Sequence, residues 1–298
     1  MDGYAILTAP WVRINQLHRV GRWVVKTVVF AVVVGAVCFP YPGLAWRHVS
    51  HWRHPQAMID ADAPAVGRWV AQLDARLGGH PHTPIEALDA AAVRRRLVAV
   101  QTMVRERIAY AFDWQVWGNV DYLPTVREVI RSGREDCDGQ AVLAASMLKR
   151  MGFDARLVAN SSHVWVWTPQ GKIMGPQAVQ AVQTTPGGLR FNWRGLVEVP
   201  RTLAFGIAVF PLVRELFLTL VLWWLWLRPG CSVARAAACA VLWIAALMAL
   251  RWGGYPIRYG WMATGLVLCV AAVMMSIRAP RPGAGVALSQ AQDERSTP

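Results

Sequence analysis

Four apolar runs punctuate an otherwise amphipathic chain: Trp23 to Leu44, Leu203 to Leu227, Cys231 to Leu250 and Tyr259 to Ile277. Each is close to the roughly 20 residues a helix needs to cross a bilayer. The pattern therefore predicts one N-terminal and three C-terminal transmembrane helices. Two runs carry irregularities. Lys26 lies inside the first and must snorkel, and Arg214-Glu215 interrupts the second just after Pro211, which predicts a partly interfacial segment. Trp223, Trp224 and Trp226 before Arg228-Pro229-Gly230 read as an aromatic belt and a tight turn. A cleaved signal peptide ending near Gly43-Leu44-Ala45 is an alternative for the first run. Its long basic leader and generous apolar length favour an uncleaved anchor.

Between the first two runs the pattern becomes that of a folded domain with helices first and strands later. Asp62-Ala-Pro64 opens a helix with Val66, Trp69, Val70, Leu73 and Leu77 on one face, closed by Gly78-Gly79. Thr83-Pro-Ile-Glu86 has the form of a capping box, and Val93, Leu97, Val100, Val104 and Ile108 line a long amphipathic helix after it. An aromatic loop with Trp114, Trp117 and Tyr122 leads to a helix in which Ala141, Ala144, Ala145, Leu148 and Met151 recur at helical spacing before Gly152. Strands are expected at Ala155 to Ala159, at His163 to Thr168 and at Ile173-Met174, separated by Asn160-Ser161-Ser162 and Pro169-Gln-Gly-Lys turns. In the middle strand His163, Trp165 and Trp167 share one face. The order describes an α+β domain with a helix packed on an antiparallel sheet.

Hydrophobic residues make up 55% of the 298 residues, too many for an ordinary soluble protein. The net charge of +13 would suggest a polyanion partner, but the stretch Trp46 to Pro200 holds 18 Lys plus Arg against 14 Asp plus Glu. Most of the excess flanks the apolar runs. Arg13, Arg19, Arg22 and Lys26 at one end and Arg278 and Arg281 at the other place both termini in the cytoplasm by the positive-inside rule. Topology accounts for the basicity, and no nucleic-acid partner is expected; Arg94-Arg95-Arg96 reads as a solvated helix face. The expected organisation is a basic leader and first span over 1–45, an extracytoplasmic domain over 46–200, three spans over 201–278 and a disordered tail over 279–298. A multi-pass protein of a bacterial inner membrane, with its domain in the periplasm, fits that arrangement.

Cys38, Cys231, Cys239 and Cys269 fall in apolar runs, which leaves Cys137 alone in the domain. An oxidising compartment usually pairs its cysteines, so a solitary one invites a chemical role. Cys137 stands after Ser132 and between Asp136 and Asp138, residues that start helices, and a helix N-terminus favours thiolate over thiol. His163 lies 26 residues further on, on a strand from which an imidazole can reach that helix start. Such a pair would act as nucleophile and base, whereas a lone His in a Trp-rich strand is as readily a satisfied core residue.

The runs Asp121-Tyr122-Leu-Pro-Thr-Val-Arg-Glu-Val-Ile, Gly133-Arg-Glu-Asp-Cys137-Asp-Gly-Gln-Ala, Leu148-Lys-Arg-Met-Gly-Phe-Asp-Ala-Arg-Leu-Val and His163-Val-Trp-Val-Trp resemble the transglutaminase-like superfamily of papain-type cysteine enzymes. The resemblance covers about the second half of the domain. It implies a papain-type fold, Cys137 as nucleophile, His163 as base, a backbone oxyanion donor from the helix, and an aromatic wall for which Trp117, Tyr122 and Trp165 are the candidates. A family member ends its next strand with an Asp that orients the imidazole. Here that place reads Lys172-Ile-Met-Gly175-Pro-Gln177, so Gln177, or Asn192 from further on, would have to serve. The implied activity is acyl transfer or amide hydrolysis on peptide or protein substrates of the cell envelope, with no cofactor and no metal. The alternative is a degenerate site in a binding or scaffold module, its spans docking a membrane-protein partner. His48, His51 and His54 straddle a helix rather than converge, so they read as an interfacial anchor in the bilayer surface and not as metal ligands.

Overall fold

A computed structural model describes residue 14 and residues 17–78, 85–160, 163–175, 182–185, 188–227 and 231–277. In chain order the helices are α1 (Arg19–Cys38), α2 (Pro42–Arg53), α3 (Pro64–Arg76), α4 (Ala90–Arg107), α5 (Asp113–Val116), α6 (Val126–Ser132), α7 (Cys137–Arg150), α8 (Val199–Val209), α9 (Leu212–Trp226), α10 (Val233–Gly254) and α11 (Tyr259–Ile277). The strands are β1 (Ala109–Tyr110), β2 (Arg134–Glu135), β3 (Arg156–Ala159), β4 (Val164–Thr168), β5 (Gly171–Ile173), β6 (Val182–Thr185) and β7 (Gly188–Phe191). The chain forms two compact units, one spanning Cys38–Thr202 and the other built from the apolar helices on either side of it.

The first unit is organised around α7. Every residue from Asp138 to Leu148 is buried, because this helix is apolar or small on all sides and must be enclosed. Helices α3, α4 and α6 and strand β4 pack on it, and Ala141, Ala144 and Ala145 keep its surface low enough for those neighbours to approach. Ser146 is fully buried yet satisfied, donating to Val142 O at 2.8 Å and accepting from Asp60 N–H at 3.0 Å. The sheet beside it is antiparallel in the order β3-β4-β5, with Val158 opposite Trp165 and Val166 opposite Ile173. A two-residue parallel pair, β1 with β2, sets Tyr110 beside Glu135. The expected helix and strand order is present, with β4 one residue shorter at its start and β5 ending before Met174. The long amphipathic helix opens at Ala90 under an Asp89 cap; the capping box expected at Thr83 lies outside the described residues.

A capping box sits instead at Thr125-Val-Arg-Glu128, and Gly133, at φ +65°, ends that helix in the left-handed conformation glycine adopts without penalty. Glu128 accepts from Thr125 N–H at 2.9 Å, from Thr125 O–H at 2.8 Å, from Tyr122 O–H at 3.0 Å and from Arg47 at 2.7 Å. Burial alone would raise its pKa, but these donors outweigh burial and hold it below the usual carboxylate value of 4.5. A depressed folded-state pKa means that the stabilisation is present above pH 4.5 and is lost as pH falls through the folded value. Glu128→Gln is accordingly expected to cost about 1 kcal/mol at neutral pH and to flatten the acid limb of the stability curve, read by thermal unfolding across pH. An unchanged acid limb would refute this account.

His48 and His51, on α2, clasp the backbone of Leu123: His48 Nδ1 accepts its N–H at 3.2 Å and His51 Nδ1 donates to its carbonyl at 2.6 Å. These histidines fasten a loop. Asn119 holds Tyr41 in the same two-sided way, at 3.1 and 3.2 Å. Arg94 and Arg95 are exposed, as a solvated face requires.

In the second unit Val20–Cys38, Val233–Gly254 and Tyr259–Ser276 are long and apolar enough to cross a membrane, and they leave large apolar side chains exposed as lipid-facing helices do. The first apolar run divides: Pro40 and Pro42 end α1 at Cys38 and start α2, so Gly43 and Leu44 belong to the next helix. The second run is two helices, α8 and α9, meeting at 109°. A break strands the last carbonyls of α8, and Arg251 from α10 meets them, donating to Ile207 O at 2.9 Å and Phe210 O at 2.7 Å. The same guanidinium pairs with Glu215 of α9.

Candidate functional site

Asp136 caps α7 by accepting the N–H of Asp138 at 3.2 Å, and this places Cys137 at the first helical position. The backbone N–H of Val164, in the strand that packs on α7, lies close enough to the half-buried sulfur to favour its thiolate. The residue next to His163 in β4 thus lies by the thiol, and the two segments whose letters suggested a nucleophile and a base meet in space.

His163 is oriented without a carboxylate. Its Nε2 lies 2.6 Å from Met174 O. A carbonyl only accepts, so Nε2 carries the proton and Nδ1 is left with its lone pair, the form a base needs. Met174 reaches this position with φ at +57°, a left-handed conformation that costs a non-glycine residue about 1–3 kcal/mol and recurs at functional sites. Its N–H is held at 2.9 Å by Gln101 Oε1, from the middle of α4. A chain of contacts therefore runs from Gln101 through the main chain of Met174 to the imidazole. Gln177 lies outside the described residues. Asn192 is exposed after β7 and accepts Gly195 N–H at 3.0 Å.

The electrostatics around the sulfur differ from the expectation. Burial first, and then the charge of Asp136, push the Cys137 thiol up to about 12 against the helping N–H of Val164. The helix start supplies its positive end, but acidic neighbours outweigh it. Asp113, Glu135, Asp136 and Asp138 each offer one oxygen within 4.8 Å of the others. Burial and then the Asp136 charge push Asp113 to about 10 and Glu135 to about 8, and raise Asp138 as well. Gly139 is what lets Glu135 lie against the first turn of α7: a Cβ there would stand 2.7 Å from Glu135 Cγ and 2.9 Å from Cβ and Oε2.

The three aromatic residues proposed for a pocket wall take different places. Tyr122 is fully enclosed, its ring 4.9 Å from that of Trp117 and its hydroxyl on Glu128. Trp117 turns its indole N–H toward Glu135. Trp165 is buried but stacks on His163, with ring centroids 6.2 Å apart and planes at 16°, so it bears on the site through the imidazole. Tyr110, exposed on β1, stands opposite Glu135, two residues before Cys137. It begins a ladder with Phe112 and Trp114, whose rings are 5.5 and 4.3 Å apart. The alternation Tyr110-x-Phe112-x-Trp114 was the available signal for it.

No protein-family model matches the chain, and no curated protein and no solved structure is significantly similar to it. The functional reading accordingly stands on the residues and their geometry.

Proposed function

We propose that the chain is a membrane-embedded, transglutaminase-like cysteine enzyme that transfers or hydrolyses acyl groups through a thioester on Cys137. The observation that carries this reading is the meeting of Cys137, at the start of α7, with the strand of His163, whose Nε2 is committed to Met174 O so that Nδ1 is the free base. In the first step the Cys137 sulfur attacks an amide or ester carbonyl as Nδ1 of His163 takes the thiol proton; a C–S bond forms and the carbonyl electron pair moves to oxygen. Collapse of that intermediate expels the amine or alkoxide, which leaves with the proton from His163. Water or a second amine, deprotonated by the same nitrogen, then releases the acyl group. The Tyr110-Phe112-Trp114 ladder, exposed at Tyr110 and half-buried at Phe112 and Trp114, offers an edge for a peptide segment on the strand paired with β2. With the domain outside the cytoplasm, the substrates would be envelope peptides, lipid-linked donors or exported proteins.

A second reading, a binding or scaffold module with a silent site, is favoured by one observation, the acidic surroundings that oppose a thiolate at Cys137. Incubating the full chain in detergent with an activated peptide ester and digesting it for mass spectrometry distinguishes the two. The catalytic reading expects an acyl adduct on Cys137 in preference to Cys38, Cys231, Cys239 and Cys269, turned over on adding an amine. An adduct that forms no faster than on free cysteine, or only on the other four thiols, would leave the scaffold reading.

A further inference from the structure

We infer that the groove between α3 and α4 binds a single-tailed anionic lipid, a long-chain fatty acid being the simplest, with the tail on the apolar floor of the groove and the carboxylate on Arg94 and Arg95. Helix α4 carries two stripes. Val93, Leu97, Val100 and Val104 belong to the core that encloses α7. A second stripe, Ala91, Arg95, Val98, Thr102 and Glu106, recurs at three- and four-residue spacing on the opposite side of the helix and is exposed throughout. It forms one wall of a groove of about 560 Å³, whose other wall is Leu73 and Arg76 of α3 with Leu77 at its end.

Small side chains open the groove. Ala91, Ala99 and Thr102 leave space above buried Leu73 and Met103, which make an apolar floor. The walls are fixed without a ligand: Arg107 of α4 lies 4.7 Å over the Trp69 ring of α3 and donates to Gln72, and Arg76 meets Glu106 at 3.8 Å. A preformed slot spares the ligand the ordering cost of making it. The volume falls within the roughly 300–1,000 Å³ of small-molecule sites. From Ala91 to Glu106 the helical rise gives a length of about 22 Å, enough for one lipid tail, which fills half of the roughly 30 Å core of a bilayer.

Charge selects the ligand. Arg76, Arg94 and Arg95 line the groove with a single carboxylate, Glu106, and that carboxylate is engaged by Arg76. Among the described residues Arg94 and Arg95 make no ion pair. A guanidinium donates two parallel N–H bonds to a carboxylate and keeps its charge at any working pH. An apolar floor beside two such cations matches a molecule with one apolar and one anionic end. A protein partner fits less well: a specific interface takes about 800 Å² from each side, whereas of the large apolar residues lining the groove only Leu77 and Val98 are exposed, at 39% and 53%. Three helices of the chain are long and apolar enough to cross a membrane, where such amphiphiles are at hand. The site does not depend on thiol chemistry, and its binding and the acylation of Cys137 are read separately.

The test uses the full chain in phosphatidylcholine nanodiscs at about pH 9, where a fatty acid stays ionised despite apolar surroundings. A photoactivatable diazirine palmitate is added and irradiated, and its adducts are located by mass spectrometry after digestion. Saturable adducts on α3 and α4, suppressed by excess palmitate and not by its methyl ester, are the expected result. Replacing both arginines, Arg94→Gln with Arg95→Gln, should raise the half-saturating concentration by at least about tenfold. Thr102→Trp, which fills the groove from an exposed position, should abolish these adducts while the apolar helices are labelled as before. Adducts confined to the apolar helices, the result if a protein surface fills the groove instead, would overturn the inference. So would equal suppression by the methyl ester, or labelling of α3 and α4 unaltered in both variants. Should a variant fail to fold, the contrast between palmitate and its methyl ester on the wild type decides alone.

Discussion

Replacing His163 by alanine is expected to slow acylation of Cys137 by about 100- to 10,000-fold, the usual worth of a positioned general base. The effect should be greatest near neutral pH and shrink as the solution becomes alkaline enough to ionise the thiol unaided. Gln101→Ala tests how the base is held. Gln101 touches neither sulfur nor substrate; it pins the N–H of Met174, whose strained main chain presents the carbonyl that fixes the imidazole. It is a positioning residue, and its loss should cost about tenfold, well short of the catalytic group, and should shift the pH profile of acylation because the Nε2–H form is no longer enforced. Gln101→Glu keeps the accepting oxygen and should recover most of the rate. Acylation rates measured across pH for the three variants settle the point, and equal rates in wild type and His163→Ala would remove the catalytic reading altogether.

The second large effect lies in the apolar unit. Arg251→Ala is expected to destabilise it by about 3–5 kcal/mol, because the substitution leaves Glu215 buried without its partner and strips the Ile207 and Phe210 carbonyls of their donor. Glu215→Gln should cost clearly less, since Arg251 keeps both carbonyls, and the double replacement should cost less than Arg251→Ala alone, because no unpaired charge is then left buried. Unfolding titrations in detergent with SDS measure all three. A loss below about 1 kcal/mol for Arg251→Ala would mean that the bend between α8 and α9 does not rely on this guanidinium.

Much of this protein was legible in its letters, and for a physical reason: hydrophobic period is a local quantity. The apolar runs, the amphipathic face of Val93, Leu97, Val100 and Val104, the small-residue stripe of α7 and the alternation of β4 each follow from what neighbouring residues must bury. Cys137 at a helix start was readable because Asp136 and Asp138 are capping residues. The Thr125-Val-Arg-Glu128 box is equally local and was there to be seen.

What the sequence left open depends on partners far away along the chain. Only the folded chain sets Asp113 against Glu135, through a two-residue parallel pairing too short to leave a pattern, and so turns a helix start expected to favour thiolate into an acidic enclosure. Only the fold shows that a methionine takes a left-handed turn to orient a histidine, held by a glutamine 73 positions earlier, since no propensity favours that conformation for Met. It also decides that Tyr122 is a core residue and Tyr110 an exposed one on the strand paired with β2. Chain letters specify which surfaces must be hidden and where elements begin; charge, strain and hydrogen-bond partnership are sums over neighbours in space, and those exist once the chain has closed on itself.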